Sequence, residues 1–298
     1  MTGTETIGFI GLGVMGGPMC RNMALKHQGR VLAFDMNAAA VAAVAEAGAE
    51  PAETAAALAA ESDAIFLSLP GGLQVEAVTA EIAAQVRPGA VIVDLSTTPV
   101  AVARKVGSFL AQRDIAFADA PVARTREAAQ RGELAIMVGA HASVFERIRP
   151  LLSHIATDIT HGGDIGSGQV LKLVNNMLVF ENVVTIAEMM VLGERAGVSP
   201  EILLDAVSRG SGDSFVLRNH ARKAMLPRDF PERSFPPEYV LKDIDYVFQL
   251  AQETGVPLKA AETVRRYYEK AVEHGLGGRY FPGVIRLVED GIMAEDPS

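Results

Sequence analysis

Six short apolar runs alternate with helix-forming stretches over the first 163 residues, and this alternation narrows the fold more than any other feature. The runs cover residues 6–10, 31–34, 65–69, 91–94, 117–120 and 135–138 and carry apolar side chains at successive positions. Strands buried on both faces and interleaved with helices pack as a parallel sheet, because parallel neighbours need a crossover connection that lays a helix on each face. A helix is expected from the glycine turn after the first run to about Lys26, and another from Asn37, as its cap, to Ala47. After Gly162-Gly163 and Gly166 the texture changes, and only long helical segments follow. Gly197-Val198-Ser199-Pro200, Pro236-Pro237 and Gly255-Val256-Pro257 punctuate them, combining helix stops with helix starts. The chain therefore reads as an α/β, doubly wound parallel-sheet domain over residues 1–163 and an all-helical domain over residues 164–298.

Composition limits what such a chain can do. With 36 acidic against 27 basic residues the net charge is -9, which repels nucleic acid and anionic lipid and leaves anionic metabolites conditional on a local positive pocket. The single cysteine, Cys20, excludes an intrachain disulfide and a thiolate cluster. The six histidines (His27, His141, His154, His161, His220 and His274) show no ligand spacing, so no metal site is expected. Residues 1–17 are apolar but lack a positive charge ahead of the run, unlike a secretion signal. Residues 170–192 are the most apolar long segment, yet Lys172, Asn175, Asn176, Glu181, Asn182 and Glu188 interrupt it, so a buried helix is expected rather than a membrane span. A soluble cytoplasmic protein is the expectation.

Gly11-Leu12-Gly13-Val14-Met15-Gly16 matches G-x-G-x-x-G. In a chain with 28 glycines the bare pattern is weak, but this one directly follows a strand and opens a helix. Asp35 then ends the second strand 19 residues after Gly16. Gly11 permits a tight turn, Gly13 lets a pyrophosphate approach the backbone, and Gly16 lets helix and strand pack closely. The phosphates would sit at the helix N-terminus, where unpaired N–H groups and the dipole favour negative charge. This is the Rossmann arrangement, and it assigns Gly11, Leu12, Gly13, Val14, Met15, Gly16 and Asp35 to a dinucleotide, with Leu69 and Pro70 at the end of the third strand bordering it. Asp35 accepts ribose hydroxyls and repels a 2′-phosphate, and Met36-Asn37 supplies no arginine for one, so NAD is expected over NADP. An Asp35 that only capped the next helix would leave that preference open.

The second informative stretch is Gly166-Ser167-Gly168-Gln169-Val170-Leu171-Lys172-Leu173-Val174-Asn175-Asn176. Lys172 and Asn176 are four apart and share one helical face, with Asn175 adjacent. A lysine and two amides on an apolar helix are costly to bury unless something polar meets them. Taken alone, the plainer account is a lysine reaching solvent with the amides paired across helices.

Here the chain resembles the β-hydroxyacid dehydrogenases, a family that includes 3-hydroxyisobutyrate dehydrogenase and tartronate semialdehyde reductase. Gly8-Phe9-Ile10-Gly11-Leu12-Gly13-Val14-Met15-Gly16 is similar to the family's cofactor signature, Asp94-Leu95-Ser96-Thr97 to its Asp-x-Ser-Thr strand end, and Asp119-Ala120-Pro121-Val122 to the start of its substrate motif. Residues 166–176 resemble the helix carrying its catalytic lysine, and Lys242-Asp243 a Lys-Asp pair bordering the cofactor. The resemblance implies that Lys172 is the catalytic acid/base, that Ser96, Asn175 and Asn176 meet the substrate, and that Thr97 and Lys242 meet the cofactor. It also implies hydride transfer between nicotinamide and a small hydroxy acid or its aldehyde, which leaves the protein to move a proton and fix geometry. A free lysine, at about 10.4, is a poor base at neutral pH, and burial with positive neighbours would lower it.

One segment departs from the family. Where the substrate motif usually continues Ser-Gly-Gly, this chain has Ala123-Arg124-Thr125 and then Arg126. Arginine's rigid fork of donors suits an oxyanion, so Ala123, Arg124 and Thr125 are assigned to the substrate anion. The pair Arg124-Thr125 resembles the loop of sulfolactaldehyde reductases, which makes a sulfonate the alternative to a carboxylate; both arginines could instead pair with Glu127 or Glu133. Residues 275–281 also lack the family's usual acidic run. An imine reductase and a non-catalytic dinucleotide-binding scaffold are the rival readings, and Lys172 with Asn176 argues against both. The apolar helix around residues 170–195 exceeds what a small domain can bury, so a homodimer or homotetramer is expected.

Overall fold

The computed structural model describes residues 4–232 and 234–295. The chain divides into two compact units, Met1–Lys172 and Leu173–Ser298. The first unit contains nine strands: β1 (Ile7–Ile10), β2 (Val31–Phe34), β3 (Glu50–Pro51), β4 (Ala64–Leu67), β5 (Val91–Asp94), β6 (Ala116–Asp119), β7 (Val122–Ala123), β8 (Leu134–Gly139) and β9 (Ala156–Gly163). Its helices are α1 (Gly16–Lys26), α2 (Ala38–Ala45), α3 (Ala55–Glu61), α4 (Gly72–Ile82), α5 (Val100–Ala111), α6 (Arg126–Arg131) and α7 (Ala142–Leu152), followed by the start of α8 (Ser167–Arg195). The sheet order is β3-β2-β1-β4-β5-β6-β8-β7, with β9 paired to β8. The chain winds outward from β1 to β3 and then crosses back to β4, and this reversal opens a crevice at the strands' carboxyl ends.

Alternation along each strand explains why both faces are apolar. Ile7, Phe9, Val31, Ala33, Val91 and Val93 pack with Met19 and Met23 of α1 and Ile148 of α7. Their neighbours Ile10, Leu32, Ile65, Leu67 and Ile92 face the other way, against Leu58, Val75, Ile82, Val106 and Leu110. Cys20 lies in the first of these layers, and burial pushes its thiol up to about 12.

The far end of the sheet departs from the parallel pattern: β8 runs antiparallel to β6 and β7 and parallel to β9. No apolar run in the sequence announces β9. Of its eight residues only Ala156 is buried, so an exposed edge strand such as this carries no apolar run to read.

The second unit contains the rest of α8 with α9 (Pro200–Val207), α10 (Pro237–Thr254), α11 (Lys259–Ala271) and α12 (Ile285–Glu289). Ser199 caps α9 through Ile202 N–H, and Gly255 ends α10 with a φ of 72°, as the punctuation predicts. Helix α10 buries Val240, Asp243, Ile244 and Val247, and α11 buries Ala261, Val264, Tyr267, Tyr268 and Ala271, at the spacing of one helical face. Phe180 of α8 meets Phe235, Tyr268 and Phe281 at ring-centre distances of 5.9–6.2 Å. By length and composition α8 is long and apolar enough to cross a membrane, but it also carries the buried polar side chains Gln169, Lys172 and Asn176.

Candidate active site

In the first unit the site begins at the glycine loop between β1 and α1. Gly11 has a φ of +95°, and a Cβ there would lie 2.3 Å from the Ser68 carbonyl oxygen. At Gly16 a Cβ would fall 2.0 Å from the Gly11 carbonyl oxygen. Gly13 instead faces open space, and the first turn of α1 has no side-chain cap. A bare backbone beside an uncapped helix N-terminus fits the pyrophosphate of a dinucleotide. Leu12, Gly13 and Val14 line a cleft of about 470 Å³ together with Arg21 and Arg126.

Asp35 braces this loop. Its carboxylate accepts from Leu12 N at 2.6 Å and from Asn37 N at 2.7 Å, while the cap of α2 is Asn37, which accepts from Ala39 N. Ser96 ties the next two strand ends together: its hydroxyl accepts from Leu69 N at 2.9 Å, and its own N–H donates to Asp94 Oδ1 at 2.9 Å. Asp94 and Asp119 stand opposite each other in the β5–β6 register. Burial pushes the Asp94 carboxyl up to about 7 and that of Asp119 up to about 6.

The start of α8 is fixed by several of these groups. Asp119 accepts from Gly166 N at 2.6 Å and Gln169 N at 2.8 Å. Gln169, fully buried, accepts from Thr98 N at 3.0 Å and donates to the Ser96 carbonyl at 2.8 Å. Lys172, 9% exposed, follows one helical turn later. The sequence marks Asp119 as the start of a motif but gives no sign that it holds α8, and Gln169 stands out only as a glutamine within an apolar, glycine-rich run.

After β6, Arg124 and Thr125, both assigned to a substrate anion, have partners within the first unit. Thr125 caps α6 by accepting from Ala128 N. Arg124, at a φ of 87°, turns its guanidinium to the Glu133 carbonyl (2.7 Å), Thr157 Oγ1 (2.9 Å) and Asp158 Oδ2 (2.6 Å). Hydrogen bonding from Thr157 and the guanidinium together hold the Asp158 carboxyl below the usual range.

In the second unit Asn176 donates to Asp243 Oδ2 at 2.7 Å and accepts from Asn175 Nδ2 at 3.2 Å. Lys242 Nζ lies 3.3 Å from Asp243 Oδ1 and about equally far from the rings of Tyr239 and Tyr246, at 5.5 and 5.4 Å. Asp243 therefore joins the amide and lysine that the sequence singled out separately. Among the described residues no group of three or more His, Cys, Asp or Glu is assembled to hold a metal ion.

Comparison with known proteins shows which family the chain belongs to. Residues 6–163 match the NAD binding domain of 6-phosphogluconate dehydrogenase, and residues 166–288 match the NAD-binding domain of NADP-dependent 3-hydroxyisobutyrate dehydrogenase. The 2-(hydroxymethyl)glutarate dehydrogenase of Eubacterium barkeri is 38% identical over 95% of this chain and 94% of its own. The NAD-dependent L-serine dehydrogenase of Pseudomonas aeruginosa is 30% identical over 96% and 98%. A solved structure of Mycobacterium tuberculosis 3-hydroxyisobutyrate dehydrogenase with L-serine superposes with a TM-score of 0.88 at 29% identity, covering 96% of this chain and 99% of that one. The chain belongs to the β-hydroxyacid dehydrogenase family and is a nicotinamide-dependent oxidoreductase acting on the CH–OH group of its donor.

Proposed function

We propose that this enzyme oxidises a 3-hydroxy acid of the form HOCH2–CH(R)–COO⁻ to the corresponding semialdehyde, using NAD, with Lys172 as general acid/base. The observation that carries the reading is Lys172 itself, a buried lysine on a helix whose first turn is held by Asp119. The compounds named for the three relatives, 2-(hydroxymethyl)glutarate, L-serine and 3-hydroxyisobutyrate, all contain that fragment and differ only in R. When bound, the nicotinamide supplies the hydride acceptor. Lys172, as the neutral amine, takes the hydroxyl proton while the carbinol carbon is oxidised, and as the ammonium it returns that proton in the reverse direction. Asn175 and Asn176 orient the substrate. Gly11 to Gly16 hold the pyrophosphate, Asp35 the ribose, Leu69, Pro70 and Thr97 border the dinucleotide, and Lys242 is assigned to it by the family resemblance. Asp35 favours NAD over NADP because its carboxylate repels a 2′-phosphate.

Arg124 reaches the substrate carboxylate by leaving Asp158. Both partners of that ion pair are substantially solvent-exposed, and such pairs are weak and screened by salt. The single useful experiment is a screen of purified enzyme with NAD or NADP and a panel of 3-hydroxy acids and their sulfonate analogues, followed at the nicotinamide absorbance. Turnover of the carboxylates with NAD is expected. Turnover confined to sulfonates would move the reading to the sulfolactaldehyde alternative, and NADH binding without turnover of any member would leave a scaffold. We further infer a cytoplasmic homo-oligomer joined through α8, on which Val174, Leu178, Met189 and Leu192 are exposed at 46–60%. A monomer in light scattering would refute that assembly.

A further inference from the structure

The buried polar groups at the start of α8 do more than satisfy one another. Gln169 spans Thr97: it accepts from the N–H of Thr98 on one side and donates to the carbonyl of Ser96 on the other. Its own backbone N–H, with that of Gly166, is held by the Asp119 carboxylate. This leaves little room for anything else, since a Cβ at Gly168 would sit 2.4 Å from the Met137 carbonyl oxygen and 2.6 Å from that of Asp119. At Gly139 a Cβ would sit 2.5 Å from Asp119 Oδ1. The side chain of one residue thus fastens the loop carrying Thr97 to the helix carrying Lys172 while its backbone ties that helix to Asp119, and Ser96, Thr98, Asp119 and Gln169 are all at most 5% exposed.

We propose that Gln169, anchored by Asp119, is a positioning residue that sets the Thr97 loop and the Lys172 helix at a fixed mutual distance, so that proton acceptor and nicotinamide contact move as one body. A buried amide suits this task because it offers one donor and one acceptor in a rigid plane, matching the N–H and C=O that flank Thr97. A leucine fills nearly the same volume and offers neither, leaving a buried N–H and C=O without partners. A glutamate offers the acceptor always and the donor only when protonated, and burial favours its protonated form. The roles of Lys172 and Thr97 rest on the function proposed above; the fastening of loop to helix does not.

The test uses the full-length enzyme and the Gln169→Leu and Gln169→Glu variants. Amide exchange is the readout that needs no substrate: Thr98 N–H exchanges about tenfold faster in Gln169→Leu, the loss of one buried hydrogen bond, while the β5 amides are unchanged. With NAD and 3-hydroxyisobutyrate or L-serine as probes, Gln169→Leu loses kcat by about tenfold or more, whereas its NADH affinity stays within about threefold. The ratio of Gln169→Glu to wild-type kcat falls as pH rises from 6 to 9, since only the protonated carboxyl rebuilds both bonds. Unchanged Thr98 exchange, a kcat retained within about twofold in Gln169→Leu, or a flat ratio for Gln169→Glu would each overturn the proposal. A wild-type enzyme that turns over neither probe refutes the proposed function, and Thr98 exchange then decides on the latch alone.

Discussion

Replacing Asp94 by asparagine removes a charge that the fold holds in an unfavourable place. Asp94 is fully buried, and one of its oxygens accepts from Ser96 N. Burial first, and the facing Asp119 in addition, push its carboxyl from 3.8 up to about 7, against the pull of Ser96 and Thr98. A carboxyl with a raised folded-state value destabilises the fold progressively as pH climbs from the unfolded value to the folded one, because unfolding then releases a proton. The interval from 3.8 to about 7 spans about 3 pH units, at about 1.4 kcal/mol each, or about 4 kcal/mol in all. About two of those units lie above pH 5, so about 3 kcal/mol is lost between pH 5 and pH 8. At roughly 2–4 °C per kcal/mol for a domain of this size, the wild-type Tm falls by about 6–12 °C over that range on this account. Asparagine keeps the bond from Ser96 and carries no charge. Thermal melts of both proteins from pH 5 to pH 8 should therefore show the Asp94→Asn variant gaining on the wild type as pH rises. Parallel curves would refute the reasoning, whatever their offset.

Three further outcomes are expected. Lys172→Ala should bind NADH normally in a fluorescence titration yet lose turnover by about two to four orders of magnitude, the range for removing a general acid/base. Gly16→Ala brings a Cβ within 2.0 Å of the Gly11 carbonyl oxygen, and the displaced loop should weaken NADH binding at least tenfold, roughly. Asp243→Leu leaves the Asn176 amide without its acceptor and should destabilise the helical unit by about 1–3 kcal/mol, read by urea unfolding.

The sheet and the glycine loop were legible because their signals are local. Apolar alternation predicts the interior strands, and Gly11 and Gly16 sit where a turn and a tight packing contact leave no room for a side chain, while Gly13 leaves the backbone bare. Asn37 reads as a cap, and it is one. What stayed hidden depends on contacts distant in sequence. Nothing in residues 156–163 announces an edge strand, since seven of its eight residues are not buried. Gln169 looks like one more polar residue on a helix until Thr98, 71 positions away, is brought to it. Arg124 reads as an oxyanion ligand by chemistry alone, and only folding presents Thr157 and Asp158 to its guanidinium. The Lys242-Asp243 pair stands out in the sequence, but the bond from Asn176 to Asp243, 67 positions away, does not.

Cys20 gives the chain a built-in clock. It is the only cysteine, it sits in α1 four residues beyond Gly16, and its thiol is both buried and held protonated. A thiol reagent needs access and thiolate together, so the native state is inert and labelling proceeds only through opening of α1 from the sheet. The labelling rate thus counts excursions of the helix whose N-terminus is proposed to hold the dinucleotide, and saturating NADH should slow it in proportion to its binding. One unmodified residue reports the grip of cofactor on fold without a dye, an isotope or a second mutation.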